Sequence, residues 1–241
     1  MGTDSKFRPG WYARLQGEQA DLDDWTHCLN EPFDPVALNL PDGETVLWSS
    51  EFEGLEDAGE VRERAIGLIG RLNGALSLWT DARPVRFGGV YKIDEAGNRH
   101  AWVFAELVAE LGRFVMRATA VLIGPDGKPV PPPPPAPSVP QGWTTLASAN
   151  DDVADLLDHF GRSDNWYDIY KTFEFAQHIV GSEHKLSRLL GDRWKDAKNV
   201  RTSANFYRHA KAHRPSKLAT LGEAKPILAE VVRAVLAAVL K

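Results

Sequence analysis

A run of proline, PVPPPPPAPSVP at 129–140, constrains this chain more than any other stretch, because proline fixes φ and donates no backbone hydrogen bond. Neither a helix interior nor a central strand accommodates it, so the run is predicted to be extended polyproline II, rising about 3.1 Å per residue. Strand-like alternation precedes it and helical spacing follows it. The chain therefore reads as two units on a stiff spacer: an α+β sheet domain over 1–128, a Pro-rich linker over 129–142, and an all-helical bundle domain over 143–241. The run also has the composition that SH3-like or WW-like protein partners dock on; the spacer reading takes precedence because folded patterns flank it on both sides.

In the front unit WYARLQGEQ reads as a strand, and DLDDWTHCLN as a helix capped by Asp21 with Leu22, Trp25, Cys28 and Leu29 inward. PDGE at 41–44 is a turn and TVLWSSEF a second strand. Glu53 to Trp79 carries one helical stripe of Val61, Ala65, Leu68, Ile69, Leu72, Leu76 and Trp79. From Arg83 the period becomes two, placing Val85, Phe87, Gly89, Tyr91 and Ile93 on one side; RHAWVFAEL returns after the turn DEAGN, and RFVMRATAVLI completes a meander. The order β-α-β-α-β-β-β predicts a mixed or antiparallel sheet with helices on one face. No Gly-rich phosphate loop and no GxSxG occurs here. His27 and His100 are isolated, and the acidic cluster from Glu51 to Glu60 reads as helix N-terminal charge.

Past Trp143 the spacing is helical. Ser148 or Asn150 can cap DDVADLLDHF, and Asp164 can cap NWYDIYKTFEFAQHIV, whose stripe is Trp166, Ile169, Tyr170, Phe173 and Gln177. Thr220 and Glu223 form a capping-box pair for a last helix that is apolar nearly all round, as expected of an element central to a bundle or covered by a second subunit. Pro226 predicts a late start or a bend in it. Cys28 is the single cysteine, so no internal disulfide forms; no apolar run approaches the roughly 18 residues of a membrane span, and MGTDSKFRPGW does not read as a signal peptide. A cytoplasmic protein without membrane association is expected.

Charge divides unevenly. Residues 1–150 carry 13 Lys and Arg against 21 Asp and Glu, a net of -8, while 151–241 carry 15 against 12, a net of +3. Within the second part the cations concentrate around WKDAKNVRTSANFYRHAKAHR, 194–214, with Asp192 and Asp196 as the local acids. Ala197, Val200, Ala204 and Tyr207 recur at helical spacing and predict one helix with one buried side. Lys198, Arg201, Asn205, Arg208, His209, Lys211 and His213 take its other faces, either a solvated basic surface or one that meets phosphate.

Within that helix RHAKAH, 208–213, resembles the signature of the HEPN superfamily: an Arg, a polar residue, three residues and a His. The resemblance extends over 143–241 at most and leaves the front unit aside. It implies metal-independent endonucleolytic cleavage of RNA at a site assembled from both protomers of a homodimer. Arg208 would hold the phosphate by its fork, His213 would move a proton to or from the reacting oxygens, and His209 and Asn205 would orient them. Lys198, Arg201 and Lys211 would attract the RNA backbone, and Tyr207 or Phe206 would stack a base. The five-residue step from Arg208 to His213 turns about 140° net on an ideal helix, so convergence needs a helix break near Ala212 or a second subunit. HAKAH lacks the glutamate of HExxH and has no third ligand nearby, so neither metal nor cofactor is expected. The implied role is a toxin or antiviral defence effector with a sensing or regulatory front unit. The alternative is a non-catalytic helical dimerisation or RNA-binding module whose front unit binds a protein or small ligand.

Overall fold

The computed structural model describes residues 7–80, 82–104, 134–209 and 215–240. The third strand of the expected meander, residues 129–133 of the proline run, Lys211 and His213 lie outside the described residues. Among the described residues the fold is α+β: an antiparallel five-stranded sheet in the order β2-β3-β1-β4-β5, followed by a helical bundle. The strands are β1 (Gly10–Gln16), β2 (Val36–Asn39), β3 (Thr45–Trp48), β4 (Arg86–Ile93) and β5 (Arg99–Trp102), with helices α1 (Gln19–Cys28) and α2 (Ala58–Trp79) among them. The short β2, between Pro35 and the turn after Asn39, carries too few residues to announce itself and makes the order β-α-β-β-α-β-β among the described residues.

Alternation on β1 explains the layering: Trp11, Ala13 and Leu15 face α1 and α2, while Tyr12 faces the other side with Val46, Tyr91 and Ile93. The expectation that Val85, Phe87, Gly89, Tyr91 and Ile93 share a face fails at a β-bulge. Leu15 pairs with Phe87 but Arg14 with Gly89, so one extra residue slips the register. Phe87 and Val90 stay on the α2 side and Tyr91 and Ile93 cross to the opposite face. Glycine is required at the slip, because Gly89 has φ 143° and a Cβ there would stand 2.9 Å from the Trp102 carbonyl oxygen.

α1 starts one turn earlier than expected, from Glu18, and Asp21 instead accepts the Arg83 backbone N–H at 2.9 Å. Asp57 caps α2 through the N–H groups of Gly59 and Glu60, and Glu51 holds Arg71 at 2.7 Å, which accounts for two of the five acidic residues of that cluster without a ligand.

The helical part comprises α3 (Val139–Ser148), α4 (Asp151–Gly161), α5 (Trp166–Val180), α6 (Glu183–Leu190), α7 (Trp194–His209) and α8 (Leu221–Val239). Asn150 caps α4, and Thr220 with Glu223 closes the capping box of α8. The cap of α5 is Asn165 rather than Asp164. α8 starts at Leu221 and carries Pro226 inside it rather than starting late, and Leu228, Val231, Val232, Val235 and Leu236 place it at the centre of the bundle.

The spacer reading needs correction. α3 begins at Val139, inside the stretch assigned to the linker, with a Ser138–Gln141 capping box and Pro140 in its first turn. Nor are the two parts held apart. Ala75 and Leu78 of α2 belong to the core of the helical bundle, while Val61, Leu68, Leu72 and Leu76 of the same helix belong to the core under the sheet. Trp79, expected on the inner stripe, is 55% exposed because Leu78 takes the buried position.

Candidate nucleic-acid interface

α7 presents the residues that its sequence concentrates. Ala197, Val200, Ser203 and Ala204 are its buried side, and the Ser203 hydroxyl fixes the helix to the following segment by accepting the Ala219 N–H at 2.8 Å. Tyr207, expected inward, is 45% exposed. Its ring stacks on Trp166 of α5, with centroids 4.9 Å apart and planes 15° apart, while Phe206 meets it edge-on at 5.3 Å. The Trp166–Tyr207 pair thus forms an aromatic step partly open to solvent.

Arg208 departs from the expectation of an open cationic face. Its guanidinium lies 4.4 Å from the Tyr170 ring centroid and 5.9 Å from that of Tyr167, with Glu174 Oε1 3.8 Å from Nη1. The Nη1 is shielded from solvent and has no hydrogen-bond partner among the described residues. The aromatic faces attract the cation and fix its plane, leaving a donor in search of an acceptor. His209 is exposed and approaches Tyr170 edge-on at 6.5 Å.

Arg201 lies two turns back on the same side and pairs with Glu183 at 2.7 Å. It borders a hollow of about 660 Å³ together with Tyr170, Lys171, Glu174 and His178. Lys171 donates to Glu174 at 2.7 Å, a bond that raises the ammonium pKa above its ordinary value. Asn205 is half-buried beside Arg208, and Lys198 is fully on the surface. Tyr207, Arg208 and His209 thus meet rings of α5, and Arg201 borders a hollow shared with α5, whereas Asn205 has no α5 contact of this kind among the described residues. Lys211 and His213 lie outside the described residues, so the Arg208 to His213 spacing stays an expectation of the sequence.

The local acids in space differ from those in sequence. Glu174 of α5 reaches Arg208, Glu183 of α6 reaches Arg201, and Glu230 of α8 receives Arg193 Nε at 2.7 Å. These partners lower the field of the basic face below what the residue count suggests.

One ionisable pair carries no sequence signal. His159, in the last turn of α4, meets Asp168 of α5 at 2.6 Å from Nδ1 to Oδ1, and Asn165 Nδ2 donates to the other oxygen at 2.7 Å. The ring also stacks on Phe175. Nine residues and a turn separate the two partners, so only the α4–α5 packing reveals them. Among the described residues no group of three or more His, Cys, Asp or Glu could hold a metal ion, and no helix is long and apolar enough to cross a membrane. No family model, curated protein or solved structure matches the chain.

Proposed function

We propose that the helical part acts on single-stranded RNA: it binds the strand along the α5–α7 face and cleaves it without metal through Arg208 and His213, in the manner of the HEPN proteins that RHAKAH resembles. The observation that carries this reading is the Arg208 guanidinium, stacked over Tyr170 with an Nη1 that has no hydrogen-bond partner among the described residues and only a 3.8 Å ion pair with Glu174, one residue from the partly open Tyr207–Trp166 step. A phosphate oxygen satisfies that donor, and a neighbouring base extends the aromatic stack.

Cleavage proceeds by attack of the ribose 2'-oxygen on the adjacent phosphorus. His213 takes the 2'-hydroxyl proton, the P–O5' bond breaks, and His213 of the partner subunit returns a proton to the departing 5'-oxygen. Arg208 offsets the charge gathering on the phosphoryl oxygens. The products are a 2',3'-cyclic phosphate and a 5'-hydroxyl, balanced in atoms and charge. Such an activity suits a toxin or defence effector, with the acidic front part as its regulator.

The test is incubation of end-labelled single-stranded RNA with the full chain in EDTA. The parent is expected to yield cyclic-phosphate fragments, and Arg208→Ala and His213→Ala each to lower the rate by about 10²-fold or more. Tyr207→Ala weakens binding by about 1–3 kcal/mol. RNA binding by a parent that cuts nothing leaves a non-catalytic binding module, and absence of binding ends the reading altogether.

A further inference from the structure

Where α2 and β4 meet α4 and α5, the fold leaves a cleft of about 650 Å³, within the size range of small-molecule sites. One wall carries Arg62 and Arg86 beside a tilted pair of rings, Phe87 and Phe104, with centroids 5.8 Å apart. The Arg62 guanidinium lies 5.4 Å from the Phe104 ring centre, and its Nε is shielded from solvent with no hydrogen-bond partner among the described residues. A shielded cationic donor is stabilised by an acceptor, and an anion entering the cleft supplies one where the described residues offer none.

The α4–α5 side carries Asp158, Asp164 and Asp168 around the Arg162 guanidinium. Asp158 pairs with Arg162 at 2.7 Å, and Asp164 stands at the rim holding Asn165 Nδ2 at 3.1 Å. Partial burial raises the Asp158 carboxyl above its ordinary pKa. On the α2 side Gly67 borders open space, since a Cβ there would meet no heavy atom within 4 Å, whereas Gly70 lets Asp158 approach closely, its Cβ position lying 2.3 Å from the carboxylate.

These walls ask for a ligand with an anionic end, a flat apolar body and hydrogen-bond donors at the far edge. Phosphate alone satisfies Arg62 and leaves the rings uncovered; an apolar molecule does the reverse. We propose that this cleft binds a nucleoside monophosphate, with the phosphate on the Arg62 side, the base against Phe87 and Phe104, and its amino edge toward the carboxylates.

Isothermal titration of the full chain with AMP, GMP, CMP and UMP, and separately with their nucleosides and with inorganic phosphate, tests this. At least one monophosphate is expected to bind in a 1:1 ratio, about tenfold or more tighter than its nucleoside or phosphate alone. Arg62→Ala weakens that binding by about tenfold or more. Gly67→Leu fills the void and abolishes binding while the melting temperature stays at or above that of the parent. The proposal is overturned if no monophosphate binds, if phosphate alone binds as tightly, or if Gly67→Leu keeps the parent affinity.

Discussion

Gly67 and Gly74 lie two turns apart on α2 and respond oppositely to a side chain. A Cβ on Gly74 would stand 2.0 Å from the Leu157 carbonyl oxygen of α4, and one on Gly161 of the other helix would stand 2.9 Å from the Gly74 nitrogen. Gly74→Ala must push two backbones apart, so a loss of about 2–3 kcal/mol is expected in urea denaturation. Gly67→Ala meets open space in a helix interior and should gain about 0.5–1 kcal/mol. Gln141 is the other residue on which packing turns. Fully buried, its Nε2 donates toward the carbonyls of Asn30, Phe33 and Pro35 at 3.0, 3.2 and 3.0 Å. Gln141→Ala strands those carbonyls and is expected to cost about 1–3 kcal/mol in the same measurement. Its local role was legible, since Ser138 and Gln141 have capping-box spacing, although the adjoining prolines mask it. The partners more than a hundred residues away were not, because no local pattern encodes them. Arg208 is the same case: its helix is written in the sequence, while Tyr170, Tyr167 and Glu174 are set beside it by the α5–α7 packing.

Elements with a long stripe and a capping residue were readable: α2, α5 and α8 arise from periodic apolar positions, and Asn150 and Thr220 start their helices as their chemistry prescribes. The failures are elements too short to show a period, such as β2, or interrupted by an inserted residue, as β4 is at its bulge. The α8 cap also has a pH signature. Glu223 accepts from the Thr220 backbone N–H at 2.8 Å and the Thr220 hydroxyl at 3.0 Å, which lowers its carboxyl below the ordinary 4.5. An acid depressed in the folded state contributes stability that is complete above its unfolded value and disappears as the pH falls through the folded one. Glu223→Gln keeps the acceptor and removes the titration. Thermal melts between pH 7 and pH 2 should therefore show a shallower acid-side decline for Glu223→Gln than for the parent, with the two close together at pH 7. Equal slopes would mean that the cap does not hold the ionised form.

At the scale of the molecule α2 decides whether this chain is one cooperative body or two tethered ones. Residues on one side of the helix fill the sheet core, and Ala75 and Leu78 on the other side fill the bundle core. Arg233 of α8 adds a hydrogen bond from Nε to the Leu78 carbonyl at 3.2 Å, so the last helix of the bundle grips the end of a helix from the sheet part. The proline run invites the picture of two units swinging on a rigid rod, because composition shows the boundary in sequence and nothing of what packs across it. The two pictures differ in calorimetry. Separate units melt in two steps, with a calorimetric enthalpy well above the van't Hoff value; a shared helix couples the cores and gives one transition with the two enthalpies equal. One transition is expected here. Gly74→Ala sharpens the distinction, because a substitution at the α2–α4 crossing lowers the melting of both cores together in a coupled molecule. If the cores are independent, it splits the trace into a shifted bundle step and an unmoved sheet step.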